Sequence, residues 1–253
     1  MVYEAATSPP KRPRMPHSTL DLTGRHVVLT GGAGALGTAV VARFLAAGAT
    51  CHVPTFDDGP RSLGLPGVHY LPRINLADEA AVSAVYAGIP ELWASIHLAG
   101  GFSFANLADT TPAAARAQFE MNAMTCLLCC RAAVQRMRAR ALAQPDEPGG
   151  RIVNVGSRAV LSPTAGLSAY AMSKAAVHAL TLQLAEELRQ EQILVNAVLP
   201  SVIDTPANRA SMPGADFERW AKPADIAETL LFLASPSNAV TTGALVPVHG
   251  RTA

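Results

Sequence analysis

Between residues 26 and 47 a short apolar run, a glycine-rich bend and an Ala-rich helical pattern follow one another without a gap, and this succession constrains the fold more than any other part of the chain. The run at 26–30 has the length and branched side chains of a buried strand, and the pattern at 35–47 has the length of a helix. Between them lies Thr30-Gly31-Gly32-Ala33-Gly34-Ala35-Leu36-Gly37, with Gly-x-Gly-x-x-Gly at Gly32, Gly34 and Gly37. Glycines so spaced permit a tight turn and let a pyrophosphate approach the backbone N–H groups of a helix N-terminus. The segment is therefore read as a dinucleotide-binding turn.

Further strand patterns at 50–55, 68–71, 92–98, 151–155, 193–199 and 245–248, with helical patterns at 112–140 and 169–190 among them, extend the alternation. Such alternation builds a parallel sheet covered on both faces, so the expected fold is α/β, a single Rossmann-type doubly wound domain over 23–253. Residues 1–22, Pro-rich with a basic cluster at Lys11, Arg12 and Arg14, are read as a flexible leader. The stretch 200–222 is rich in Pro, Asp, Arg and Ser and too long for an ordinary connection. It follows a strand end, where open α/β sheets bind ligands, and is read as a lid.

Apolar residues make up 49% of the chain and charged ones 15%, which suits a packed core and not a disordered chain. A net charge of +1 offers no broad field for nucleic acid. No apolar run approaches the roughly twenty residues of a membrane span, and the expectation is a cytoplasmic protein without nucleic-acid or membrane partners. Cys51, Cys126, Cys129 and Cys130 do not resemble a disulfide framework, and a zinc site would need a ligand from elsewhere. They are read as small buried thiols, with no metal expected.

Tyr170 and Lys174 stand four residues apart in a helical pattern, so their side chains rise from one face a turn apart. Ser157, just past the fifth strand, and Asn122, in the preceding helix, are expected to join them at the carboxyl edge of the sheet. A phenol, with an ordinary pKa of about 10, becomes a proton carrier near neutrality when a neighbouring ammonium and an oxidised nicotinamide favour its phenolate. In reduction Tyr170 then donates a proton to the substrate oxygen as hydride arrives at carbon, and Ser157 donates a hydrogen bond to that oxygen. Lys174 tunes Tyr170 and holds the nicotinamide ribose, and Asn122 binds a water linking Lys174 to solvent, or else satisfies backbone groups. Cofactor choice should lie near the end of the second strand. Thr55 and Phe56 stand there, Asp57 and Asp58 come late, and Arg61 later still; without a well-placed carboxylate the balance leans slightly to NADPH over NADH.

With these residues in place the chain resembles the short-chain dehydrogenase/reductase family from Gly31 to the last strand. The resemblance rests on the Gly-rich turn, Ala99-Gly100, Asn122, Ser157 thirteen residues before Tyr170, Tyr-Ala-Met-Ser-Lys at 170–174, and Pro200 with Thr205. It implies a seven-stranded parallel sheet and homodimers or homotetramers packed through the long helices. Cofactor contacts are implied from Gly31, Gly32, Gly34, Ala35, Leu36, Gly37, Thr55, Ala99, Gly100, Tyr170, Lys174 and Pro200, and Thr205 is implied to meet the nicotinamide end. Ala35 departs from the family pattern by replacing a glycine, His97 and Leu98 by replacing asparagines, and Ser201 by replacing a glycine.

The turn, Ala99-Gly100-Gly101 and the run from Asp204-Thr205-Pro206 to Phe217 are similar to the dihydropteridine reductase branch. That branch lacks the catalytic serine and carries an acid after the second strand, whereas here stand Ser157 and Thr55. The resulting expectation is an NAD(P)H-dependent carbonyl/alcohol oxidoreductase acting on a small molecule, its lid contributing Asn208, Arg209, Met212, Phe217 and Trp220. Arg209 binds an anionic group or, the preferred reading, pairs with Asp204 or Asp216. The alternatives are quinonoid dihydropteridine reduction and a non-catalytic NAD(P)-sensing regulator.

Overall fold

A computed structural model describes residues 20–58, 66–145 and 149–252. The basic cluster at Lys11, Arg12 and Arg14 lies outside the described residues, as does Arg61. In chain order the elements are β1 (His26–Thr30), α1 (Ala35–Ala46), β2 (Thr50–Pro54), β3 (Val68–Leu71), α2 (Glu79–Ala87), β4 (Leu92–His97), α3 (Pro112–Phe119), α4 (Thr125–Ala143), β5 (Gly150–Val155), α5 (Ser168–Glu187), β6 (Ile193–Pro200), α6 (Pro206–Ser211), α7 (Pro223–Ala234) and β7 (Leu245–Val248).

The seven strands form one sheet in the order β3-β2-β1-β4-β5-β6-β7, every pair parallel. Both faces are covered, which is why all six residues of β4 are buried and its sequence lacks the apolar-polar alternation of a one-sided strand. One face packs Val40, Val41 and Phe44 of α1 and Leu230 and Leu231 of α7 around Trp93. On the other, Tyr86 of α2, Cys130 and Met137 of α4 and Val177 of α5 meet Val28 and Ile152. The chain winds outward from β1 to β3, then crosses back to β4 and winds the other way. The carboxyl ends of β1 and β4 therefore flank the crevice where doubly wound sheets bind ligands.

Local chemistry fixes the helix starts. Asp78 accepts from the N–H groups of Ala80 and Ala81 at the head of α2, and Thr111 accepts from Ala114 N–H at the head of α3, with Pro112 in the first helical position.

Two expectations gain detail. Leu22 is fully buried against the α1 face, its N–H donates to the Ala47 carbonyl at 2.7 Å, and Leu20 packs on the same core, so the last residues of the 1–22 segment contact the domain. The helix expected over 112–140 runs without a gap to Ala143 and contains a π-helical turn at Glu120–Met124. A π turn accommodates one extra residue, which lets Asn122 point at the loop after β4 while Cys126 and Cys130 still face the sheet. Among the described residues no helix is long and apolar enough to cross a membrane. The four cysteines are free and buried.

Candidate active site

After β1 the backbone turns at Gly31, whose φ of +68° suits glycine, and a Cβ there would lie 2.7 Å from the Ala99 nitrogen. The two loops are also tied by hydrogen bonds from Leu98 N–H to the Thr30 carbonyl (3.1 Å) and from Ala99 N–H to Thr30 Oγ1 (3.2 Å). Gly34 precedes α1 without a side-chain cap, and no acid stands in the first turn. The N–H groups of Ala35, Leu36 and Gly37 are thus left to an external acceptor at the positive end of the helix. These residues fit a dinucleotide: the glycine surface leaves the backbone open, and the donor set suits a pyrophosphate. A Cβ on Gly37 would stand only 2.1 Å from the Gly31 carbonyl oxygen. Gly37→Ala is expected to cost about 1–3 kcal/mol of stability and to weaken cofactor binding by roughly 10-fold, read by thermal unfolding and fluorescence titration.

Past β2, Thr55 is buried, and its hydroxyl donates to the Asp57 carbonyl at 3.0 Å, while Phe56 is exposed. Asp58 pairs with Arg73, 3.1 Å away across the end of β3. Arg73 was not anticipated, because its position depends on how β3 aligns with β2.

The side chains expected to handle the proton lie where β4, β5 and α5 meet. Ser157 follows β5; its N–H donates to His178 Nε2 at 3.1 Å, and its Oγ accepts from Ala159 N–H at 3.2 Å, leaving the hydroxyl proton free to be given. Burial pushes the Tyr170 phenol's pKa up, and the neighbouring Ser157 hydroxyl offsets this only in part. In the protein alone, Tyr170 is accordingly a neutral acid and not a phenolate. Lys174 is buried and donates to the Val155 carbonyl at 2.9 Å; burial pulls its pKa down to about 8. His178, one turn beyond Lys174, was missed, although 170, 174 and 178 continue the same helical spacing. Burial, and then the charge of Lys174, lowers its pKa, which suits a neutral ring accepting from Ser157.

Asn122 grips the loop after β4: its Nδ2 donates to the Gly101 carbonyl (3.0 Å) and Ser173 Oγ (3.1 Å), and its Oδ1 accepts from Gly101 N–H (3.1 Å). The backbone-satisfying reading is therefore realised. A Cβ on Gly100 would lie 2.5 Å from that oxygen and 3.3 Å from Lys174 Nζ, so the loop, the amide and the ammonium form one unit.

In the 200–222 segment Pro200 closes β6, and Thr205 caps α6 by accepting from Asn208 N–H at 3.2 Å, while Asn208 Nδ2 donates to the Ile203 carbonyl. Arg209 grips both oxygens of Asp204 at 2.5 and 2.8 Å and lies over the Phe217 ring; Lys222 reaches Asp204 at 2.8 Å. This is the structural pairing preferred for Arg209, and the two cations hold the Asp204 carboxyl well below its usual range. Trp220 is buried and packs on Phe217, while Met212 remains exposed.

The sequence profile of the short chain dehydrogenase family matches residues 25–215. Among curated relatives, 2,3-dihydroxy-2,3-dihydro-p-cumate dehydrogenase of Pseudomonas putida is 27% identical over 92% of this chain and 96% of its own. L-xylulose reductase of Bos taurus is 29% identical over 91% and 97%. A solved oxidoreductase of the short-chain dehydrogenase/reductase family from Burkholderia thailandensis superposes with a TM-score of 0.78 at 30% identity, covering 90% of this chain and 92% of that one. A profile match spanning both the dinucleotide turn and the Tyr170 helix, on a seven-stranded parallel sheet that superposes on a solved family member, makes this chain a member of the short-chain dehydrogenase/reductase family and a nicotinamide-dependent oxidoreductase.

Proposed function

We propose that the protein interconverts a small carbonyl compound and its alcohol, with NADPH preferred, and that Ser157, Tyr170 and Lys174 perform the proton transfer. The observation that carries this reading is the placement of Tyr170 and Lys174 one turn apart on α5, with the buried Lys174 donating to the Val155 carbonyl two residues before Ser157. The nicotinamide cofactor, when bound, supplies or accepts the hydride. Tyr170, neutral in the protein alone, gives its proton to the substrate oxygen, and Ser157 donates a hydrogen bond to the same atom, stabilising the charge that develops there. Lys174, charged below about pH 8, faces this edge of the sheet. Asn122 and His178 position these groups, the first through Gly101 and the second through the Ser157 backbone.

Phe102 sits edge-on to Tyr170 at 5.1 Å, and with Phe104 it is exposed, favouring a substrate with an apolar or planar body. The NADPH preference rests on the end of β2, where Thr55 is turned inward and Asp58 is engaged by Arg73. Exposed Phe119, Leu127, Met172 and Leu182 on α3, α4 and α5 support a homodimer or homotetramer closed through those helices. A cytoplasmic location accords with the four free thiols. A second reading, reduction of a quinonoid dihydropterin, draws on the lid sequence from Asp204 to Phe217; the Ser157 hydroxyl favours the carbonyl.

Absorbance assays with NADPH and NADH, each against ketones, aldehydes and quinonoid dihydropterin, separate the readings. NADPH-dependent carbonyl turnover is expected. Faster oxidation of NADH overturns the cofactor preference, and turnover of the pterin alone establishes the second reading. Cofactor binding without turnover of any substrate ends both.

A further inference from the structure

Behind the catalytic groups, between the sheet and α4, lies a cluster that the proton chemistry does not use. It contains two of the cysteines noted in the sequence and His97, which stands where the family pattern has asparagine. One ligand-capable atom from each of His97, Cys126 and Cys130 lies within 4.8 Å of the others, and all three side chains are buried. The His97 Nδ1 is 3.5 Å from Cys130 Sγ and 4.0 Å from Cys126 Sγ. A fourth donor comes from β5: Asn154 Oδ1 is 2.8 Å from that nitrogen, 3.3 Å from Cys126 Sγ and 3.6 Å from Cys130 Sγ. A tetrahedral zinc ion, with Zn–S of about 2.3 Å and Zn–N of about 2.0–2.1 Å, spaces its donors roughly 3.5–3.8 Å apart. The cluster already straddles that spacing.

We propose that His97, Cys126, Cys130 and Asn154 form a binding site for one soft divalent cation of the zinc class.

The surroundings orient the oxygen and nitrogen donors. Asn154 Nδ2 donates to Thr181 Oγ1 at 2.9 Å, and the Thr181 proton goes on to the Val177 carbonyl at 2.8 Å, so the amide oxygen is the atom turned into the cluster. On the far side of the imidazole, His97 Nε2 is 2.8 Å from Ser95 Oγ, which is 2.7 Å from the Tyr86 hydroxyl. The two hydroxyls can exchange donor and acceptor roles. With protons running towards Nε2, the Nδ1–H group donates to Asn154 Oδ1 and the cation-free cluster is satisfied. With protons running the other way, Nε2–H donates to Ser95, and the Nδ1 lone pair is presented to a cation, the outer-sphere support that ligating histidines require.

Charge and composition select the ion. Two thiolates, a neutral imidazole and an amide around a dication carry no net charge, as a dry layer demands. Sulfur and nitrogen donors favour zinc-class ions over magnesium or calcium. Loading exchanges the two thiol protons for the cation, without oxidation or reduction.

Cobalt(II) titration of the reduced full-length protein, with zinc competition, tests the assignment. One equivalent should bind with a thiolate-to-cobalt charge-transfer band, and zinc should abolish the band. Cys126→Ser and Cys130→Ser should each weaken binding by more than the roughly 10- to 100-fold lost with an outer-sphere partner. Cys129→Ser should leave the affinity unchanged. Absence of a thiolate band, or affinity insensitive to Cys126 and Cys130, overturns the site. Should the serine variants fail to fold, the band intensity of the parent protein decides: two thiolates per cobalt support the site, and fewer reject it.

Discussion

Tyr170→Phe is expected to lower carbonyl turnover by about 100-fold or more, with cofactor affinity and folding stability close to the parent's. The substitution removes one oxygen and leaves the ring against Phe102. What disappears is the proton donor, and Ser157 does not replace it: its hydroxyl is placed to donate a hydrogen bond, but an aliphatic alcohol is a far weaker acid than a phenol. Single-turnover kinetics, alongside cofactor titration, isolate the chemical step. A rate within a few-fold of the parent's would show that the proton comes from elsewhere.

Lys174→Met should separate stability from function. The buried ammonium has its pKa lowered from an ordinary 10.5 to about 8, so at neutral pH the charged form carries a native-state cost of roughly 3 kcal/mol. Methionine removes that cost and also the hydrogen bond to Val155, and a net gain of about 2 kcal/mol is expected. The sign follows from proton counting. Between about pH 8 and 10.5 the unfolded parent binds the proton that the folded parent has lost, so the parent's stability rises with pH across this window. The variant lacks that rise, and its advantage should shrink above pH 8, vanish about one unit below 10.5 and reverse beyond that, when only the lost hydrogen bond remains. Urea unfolding from pH 7 upward measures this difference, while turnover at pH 7 should fall by about 100-fold. A variant less stable than its parent at pH 7 would show that the ammonium is better accommodated than its burial implies.

The parallel sheet and the placement of Tyr170 and Lys174 on one helix were legible because each rests on local spacing: a strand followed by glycines, or side chains one helical turn apart. Features made by distant parts of the chain were not. The partners of Asn122 are Gly101 and Ser173, from two other segments. Arg73 finds Asp58 only because β3 lies beside β2. The cysteines of α4 were rightly read as buried, yet their histidine and asparagine neighbours arrive from β4 and β5. The π turn within the 112–140 run was not legible because it keeps helical composition and leaves no glycine or proline to mark it. The contacts of Leu20 and Leu22 with the core were not legible either, because two apolar residues are too short a pattern to mark an element.

That wide turn sets the phase between the two halves of a long rod. A single residue subtends about 100° of an ordinary helix, so deleting one position within Glu120–Met124 would rewind the segment and rotate everything before it relative to everything after. With Cys126 and Cys130 fixed against the sheet, Asn122 would swing away from Gly101 although no residue touching the loop had been replaced. The bend works as an angular offset, and its length, more than the identity of its side chains, keeps the amide aimed inward.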